Sequence, residues 1–134
     1  MVESLSSSPT KTFSEYIVDK QLAAYNEGNY GVFASCYHGE IISVDLYTMQ
    51  MIPQMSGSHF FTHYRKKFIE NPKIHCEVIQ RIFHDDLVID HEIISDYKNE
   101  QHTEMVIYQV EHGQISKMWF SREVPLSPHQ KIGE

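Results

Sequence analysis

The second half of the chain is almost continuous strand. Runs at 74–82, 87–94, 103–110 and 115–121 are rich in Ile and Val and carry Tyr108 and Trp119. Only His84-Asp85-Asp86, Lys98-Asn99-Glu100 and Glu111-His112-Gly113 punctuate them. Links this short suit antiparallel hairpins and leave no room for parallel crossovers. Helical patterning comes earlier. Phe13, Ile17, Gln21 and Ala24 recur at helical spacing with Tyr16, so a first helix starts between 11 and 14 and stops at 27, before Gly28. A short second helix over 30–37 carries Phe33 and Tyr37 four apart. Two strands follow, 41–46 and 49–55, with Pro53 marking the second as an edge. Ser58, after Gly57, is the candidate N-cap of a third helix with an apolar stripe of Phe60, Phe61, Tyr64 and Phe68, ending before Asn71-Pro72. Helices first and sheet last predict an α+β fold. Three N-terminal helices pack in a strongly curved, mostly antiparallel sheet, a cone-like roll with a pocket between the layers.

The 134 residues fit one domain, read here as 12–123 between tails at 1–11 and 124–134. A composition of 41% hydrophobic and 22% charged residues is that of a globular chain. The net charge of −7 repels phosphate backbones, so nucleic acid is not an expected partner. Arg65-Lys66-Lys67 reads as a solvated helix face. No apolar run is long enough for a bilayer, and the start has neither a basic nor an apolar leader region, so no membrane partner is expected. Cys36 and Cys76 form no CxxC pair and no disulfide framework, which points to the cytoplasm.

Cofactors are not expected either. No glycine lies in a phosphate-binding loop, and no Gly-x-Ser-x-Gly motif occurs. His59 and His63 have the spacing of two metal ligands on a helix, but the intervening glutamate of a metalloprotease is missing and no third ligand follows by spacing. They read as histidines on a wet face, and no metal is expected.

Strand alternation assigns Ile74, Cys76, Val78, Ile89, His91, Ile93, Val106, Tyr108, Met118 and Phe120 to the concave face. Ile79, Arg81, Asp90, Glu92, Ile107 and Trp119 fall on the other. Helices can cover only one face, so the second predicts a homodimer through the sheet. His75, Glu77, Arg81, Asp90 and Glu92 then read as interface residues.

The order of elements comes with particular residues. These are Ala24-Tyr25-Asn26-Glu27-Gly28-Asn29-Tyr30 running into Cys36-Tyr37, Val44-Asp45, Gly57, and Asn71-Pro72-Lys73-Ile74-His75-Cys76-Glu77. Val88-Ile89-Asp90-His91-Glu92, Glu111-His112-Gly113-Gln114-Ile115 and Trp119-Phe120 complete the set. Together they resemble the nuclear transport factor 2-like superfamily, in its SnoaL-like and ketosteroid-isomerase-like branch. The resemblance implies a small-molecule pocket and places Asp45 where ketosteroid isomerase has its aspartate base. The family's tyrosine donor falls on Gln21. Its protonated aspartate falls on Val106, or on Met105 with another loop gap. Neither apolar residue can donate, so steroid isomerisation is not expected.

Asp45 is then either a proton-transfer base or a carboxylate capping a turn. His91 is either its acid/base partner across the pocket or a satisfied core histidine. Gln21, Val106, Tyr108, Phe120 and Arg122 are the candidate ligand-binding residues, with Tyr108 alternatively a core tyrosine and Arg122 an exposed strand-end cation. The expected function is a cofactor-independent isomerase, dehydratase or cyclase that moves a proton on a small, largely apolar carbonyl compound. A non-catalytic binding module or a dimeric scaffold of the same fold is the alternative.

Overall fold

The protein is described by a computed structural model over residues 11–96 and 98–126. The predicted N-terminal tail lies outside the described residues apart from Lys11, as does the end of the chain from 127.

Helix α1 spans Phe13–Glu27. It begins in a reciprocal cap: the Thr12 hydroxyl accepts from the Glu15 N–H at 3.2 Å, and the Glu15 carboxylate accepts from the Thr12 N–H at 3.3 Å. Such a cap is worth about 1 kcal/mol. Gly28 ends the helix at φ +71°, a left-handed conformation that glycine adopts without strain. Helix α2, Tyr30–Ser35, is shorter than the predicted 30–37, because Tyr37 already opens strand β1, Tyr37–Asp45. Helix α3 is Ser58–Glu70, and its N-cap is Gly57 rather than Ser58. The predicted strand at 49–55 does not form. Only Met51 bridges to Val44, and Pro53–Met55 is a 3-10 turn. Pro53 has no N–H to give a ladder.

Strands β2 (His75–His84), β3 (Leu87–Ser95), β4 (Gln101–Glu111), β5 (Gln114–Phe120) and β6 (Val124–Pro125) complete the fold. The sheet order is β1-β5-β4-β3-β2, all antiparallel except the parallel β1–β5 pair. β6 pairs antiparallel with the start of β4, so the predicted C-terminal tail begins with a strand. The curved sheet holds the helices on one face. Phe33 centres the core, with ring centroids 4.9 Å from Tyr37 and 5.1 Å from both Tyr64 and Phe68. Asn26 pins α1 to the edge of the sheet: its amide donates to the Cys76 carbonyl at 2.9 Å and accepts from the Cys76 N–H at 2.8 Å.

Facing is as expected on β4 and β5, where Val106, Tyr108 and Met118 are buried in the core. On β3 it is reversed. Val88 and Ile94 belong to the core, and Asp90 and Glu92 are buried with them, while His91 is exposed. The reason lies in the competing patterns. Leu87, Ile89 and Ile93 make the other face of β3 more apolar than the inward one, so hydropathy selects the wrong register. The two inward carboxylates are tolerated by different means. Asp90 takes a two-pronged contact from Arg81, Nε to Oδ1 at 2.6 Å and Nη2 to Oδ2 at 2.9 Å. Arg81 reaches that position because β2 bulges between Val78 and Gln80, which turns the strand by one residue. Glu92 has no cation within ion-pair distance among the described residues. Arg81, Asp90 and Glu92 are therefore core groups and not the outward interface residues that alternation suggested.

Candidate functional site

Between the helices and the concave sheet lies a cavity of about 270 Å³. Its apolar wall includes Tyr25 of α1, Phe33 of α2, Tyr64 of α3, Val106 of β4 and Met118 and Phe120 of β5. Its polar lining includes Gln21, His63, Lys67, Glu92, Glu104 and Glu123. The Tyr37 hydroxyl donates to Gln21 Oε1 at 2.7 Å, which uses one face of that amide. The Tyr108 hydroxyl donates to Glu92 Oε2 at 2.9 Å. The Tyr25 hydroxyl is buried at the cavity wall with no hydrogen-bond partner. An unpaired buried hydroxyl costs about 1–3 kcal/mol, and a ligand oxygen would relieve that cost.

Glu92 dominates the electrostatics. Burial, and then the charge of Glu104 across the β3–β4 pair, push its carboxyl up to about 8. At neutral pH it is mostly a neutral acid with a proton to give. Burial raises the phenols of Tyr25, Tyr37, Tyr64 and Tyr108 as well, so each stays a donor. The Cys76 thiol is pushed far up by the same burial and is inert. Glu104 lines the cavity and lies 2.9 Å from His102 Nε2. The Glu104 hydrogen bond raises the pKa of His102. At the rim, burial lowers that of His63.

The predicted site residues divide. Gln21, Val106, Tyr108 and Phe120 line the cavity. Asp45, His91 and Arg122 do not. Asp45 Oδ1 accepts from the N–H of Tyr47 at 2.8 Å and of Thr48 at 3.2 Å, so it caps the turn after β1. His91 points to the outer face of the sheet, in a groove with Ile82, Ile89 and Met105. Arg122 flanks the same groove, its guanidinium 4.1 Å from the centroid of the Tyr47 ring. The postulated Asp45–His91 couple shares no cavity. Sequence reasoning missed Glu92, Glu104, His102 and Tyr25. The usable signal was the pair Asp90 and Glu92, two places apart between Val88 and Ile94 in a strand otherwise fit for burial.

Among the described residues His102, Glu104 and Glu123 offer ligand atoms within 4.8 Å of one another, a spread one ion could bridge. The Lys67 charge, which acts on His102, works against a cation there. The present arrangement is one imidazole shared by two carboxylates. His59 and His63 are joined by no third ligand among the described residues.

No family model matches the sequence, and no curated protein matches it. Solved structures do match. An NTF2-like protein from Cytophaga hutchinsonii superposes with a TM-score of 0.63 at 14% identity, over 83% of this chain and 90% of that one. The chain has the nuclear transport factor 2-like fold. A SnoaL-like protein from Burkholderia thailandensis matches with a TM-score of 0.64 at 16% identity, over 86% of this chain and 97% of that one. A protein from Catenulispora acidiphila with a ketosteroid isomerase-like fold, in complex with trimethylamine, matches at 0.59 and 12% identity, over 78% and 82%. At these identities the likeness carries the NTF2-like fold and leaves the chemistry to the residues of this chain. No helix among the described residues is long and apolar enough to cross a membrane.

Proposed function

We propose that the protein is a SnoaL-like enzyme that moves a proton on a small, largely apolar carbonyl compound without a cofactor, with Glu92 as the acid. The observation that carries this reading is the placement of Glu92: a carboxyl 3% exposed, at a cavity wall, held by Tyr108 and with no cation within ion-pair distance among the described residues. A neutral carboxylic acid in an apolar cavity donates strongly to a carbonyl oxygen and stabilises the charge that develops there. The Tyr25 hydroxyl is the second donor for the same oxygen. Glu104, in the same cavity and hydrogen-bonded to His102, is placed to accept a proton from the neighbouring carbon. Two carboxyls facing one another in unlike surroundings divide acid and base roles between them. Gln21, Val106 and Phe120 shape the ligand, and Asp45 and His91 take no part. The trimethylamine complex in a Catenulispora relative is in keeping with a compact ligand in a cavity of this fold. The buried free thiols of Cys36 and Cys76 suit a reducing, cytoplasmic setting.

A thermal-shift screen of small carbonyl compounds finds the ligand, since binding at about 100 times the dissociation constant adds about 2.7 kcal/mol. With that compound, Glu92→Gln is expected to lower kcat by about 10²–10⁴ and to change binding by less than about tenfold. Asp45→Asn and His91→Gln should turn over as wild type. A Glu92→Gln protein with full turnover would sink the acid role. Binding without turnover by the wild type would favour the non-catalytic module.

The outer face belongs to the same proposal. On the sheet face that no helix covers, Ile82 is 67% exposed beside the groove at His91, and Ile42 is 41% exposed on β1 at the opposite edge. A second copy packed there would bury on the order of 1,200 Å² or more. Light scattering at micromolar concentration should give twice the chain mass, and Ile82→Lys should halve it. A wild-type monomer contradicts the dimer.

A further inference from the structure

Glu92 is 3% exposed, so its proton reaches bulk water either through the cavity it lines or through neighbouring side chains. An acid that turns over must lose and regain that proton. Cys76 on β2 and Tyr108 on β4 touch Glu92 but lead further into the core. Besides the cavity, a route of side chains leads out along β4. Glu104 is the cross-strand partner of Glu92 and shares its inward face. Such partners have Cβ atoms about 4.5–5.5 Å apart, within carboxyl reach of one another. Glu104 Oε1 is 2.9 Å from His102 Nε2, and the Glu104 side chain is only 9% exposed. The same His102 nitrogen is 3.7 Å from Glu123 Oε2, and the Glu123 side chain is 64% exposed. One imidazole nitrogen therefore stands between an inner carboxylate and an outer one. Both ends are fixed by the sheet, since β6 pairs Thr103 with Val124, the neighbour of Glu123. Lys67 and His63 line the same cavity, and among the described residues neither forms an ion pair with Glu92, Glu104 or Glu123.

We propose that Glu104 and His102 form a proton relay that connects the buried Glu92 carboxyl to solvent through Glu123. The relay rests on the reading of Glu92 as the acid. Glu92 O–H gives its proton to the Glu104 carboxylate. The imidazolium form of His102 releases its Nε2 proton outward, to Glu123 or water, and the Nε2 lone pair of the neutral imidazole left behind takes the next proton from Glu104. Each step breaks one O–H or N–H bond and forms another, and no electrons are transferred between groups. One proton leaves the core per passage, and the reverse sequence restores it. His102 is a positioning residue in this scheme, since it acts through Glu104 and does not line the cavity, whereas Glu123 lines it and is the outer proton acceptor.

The test reads proton exchange at Glu92 and needs no ligand. In the full chain labelled with carboxyl-¹³C glutamate, the Glu92 signal is recorded near its titration midpoint, where both protonation states are populated. Wild type should show one exchange-averaged line. His102→Gln should slow the exchange by about 10² or more, into two separate lines, and added imidazole should restore averaging. Glu123→Gln alters an exposed group, preserves the fold, and should slow exchange to a lesser degree. It decides the matter if His102→Gln does not fold. Exchange as fast as wild type in both variants overturns the relay and means that protons reach Glu92 through the cavity mouth. That outcome is separate from the catalytic reading, which stands or falls on turnover by Glu92→Gln.

Discussion

Above about pH 8, Glu92→Gln is expected to be more stable than the wild type, and below about pH 4.5 the advantage should vanish. The sign follows from proton counting. The folded carboxyl titrates near 8, whereas the unfolded one titrates near its ordinary 4.5. Between those values the folded state holds a proton that the unfolded state has lost. The stability contributed by the neutral acid is complete below the unfolded value and declines as pH rises to the folded value. The slope is at most about 1.4 kcal/mol per pH unit, so the full window is worth on the order of several kcal/mol as an upper bound. Glutamine keeps an oxygen for the Tyr108 hydroxyl and carries no charge at any pH. Urea unfolding of both proteins across this window reports Glu92 and the groups coupled to it, because every group that does not interact with Glu92 cancels in the difference. Parallel stability curves would mean that Glu92 is charged when folded at neutral pH.

Arg81→Met is the second large effect. Arg81 stands 15% exposed between Asp90, at 1%, and Asp19, at 31%, with Glu15 3.7 Å away. Its hydrogen bonds to Asp90 and Asp19 raise its own pKa, and Asp19 is in turn held below its usual range by Lys11 and Arg81 against the cost of burial. Methionine fills the space of the stem and removes the charge, which leaves Asp90 buried without a cation. Breaking a buried pair on one side costs about 3–5 kcal/mol. The double variant Arg81→Met, Asp90→Leu should recover most of that loss, since apolar replacement of a whole buried pair is often neutral. Urea midpoints of the single and double variants check both statements. A single-variant loss below about 1 kcal/mol would show that the network is solvated and holds little.

The sequence carried the order of elements because local signals act locally. The Thr12 cap, Gly28 and the short hairpin links each fix their own surroundings without tertiary help. The parallel closure of β1 on β5 was hidden, because partners such as Ser43 and Met118 lie far apart in the chain and no local pattern joins them. The cavity wall was half legible. Tyr108 and Val106 share the inward phase of β4 with Val110, and that apolar half of the strand was readable although His102 and Glu104 occupy the same phase. β3 defeated the same rule, because its inward face carries the two carboxylates. Asp90 is there only because a bulge delivers Arg81 to it, and Glu92 only because burial keeps it protonated. Asp45 shows the converse: the resemblance placed it as a base, and its own neighbours Tyr47 and Thr48 claim its oxygen for a turn.

The account turns on Glu92 being a neutral acid inside the cavity. The direct measurement is its titration curve, read from the carboxyl-¹³C shift and assigned by the Glu92→Gln spectrum. The account predicts a midpoint near 8, with the line still at its protonated position at neutral pH. A midpoint at the ordinary carboxylate value near 4.5 would contradict it, and would leave the cavity without an acid.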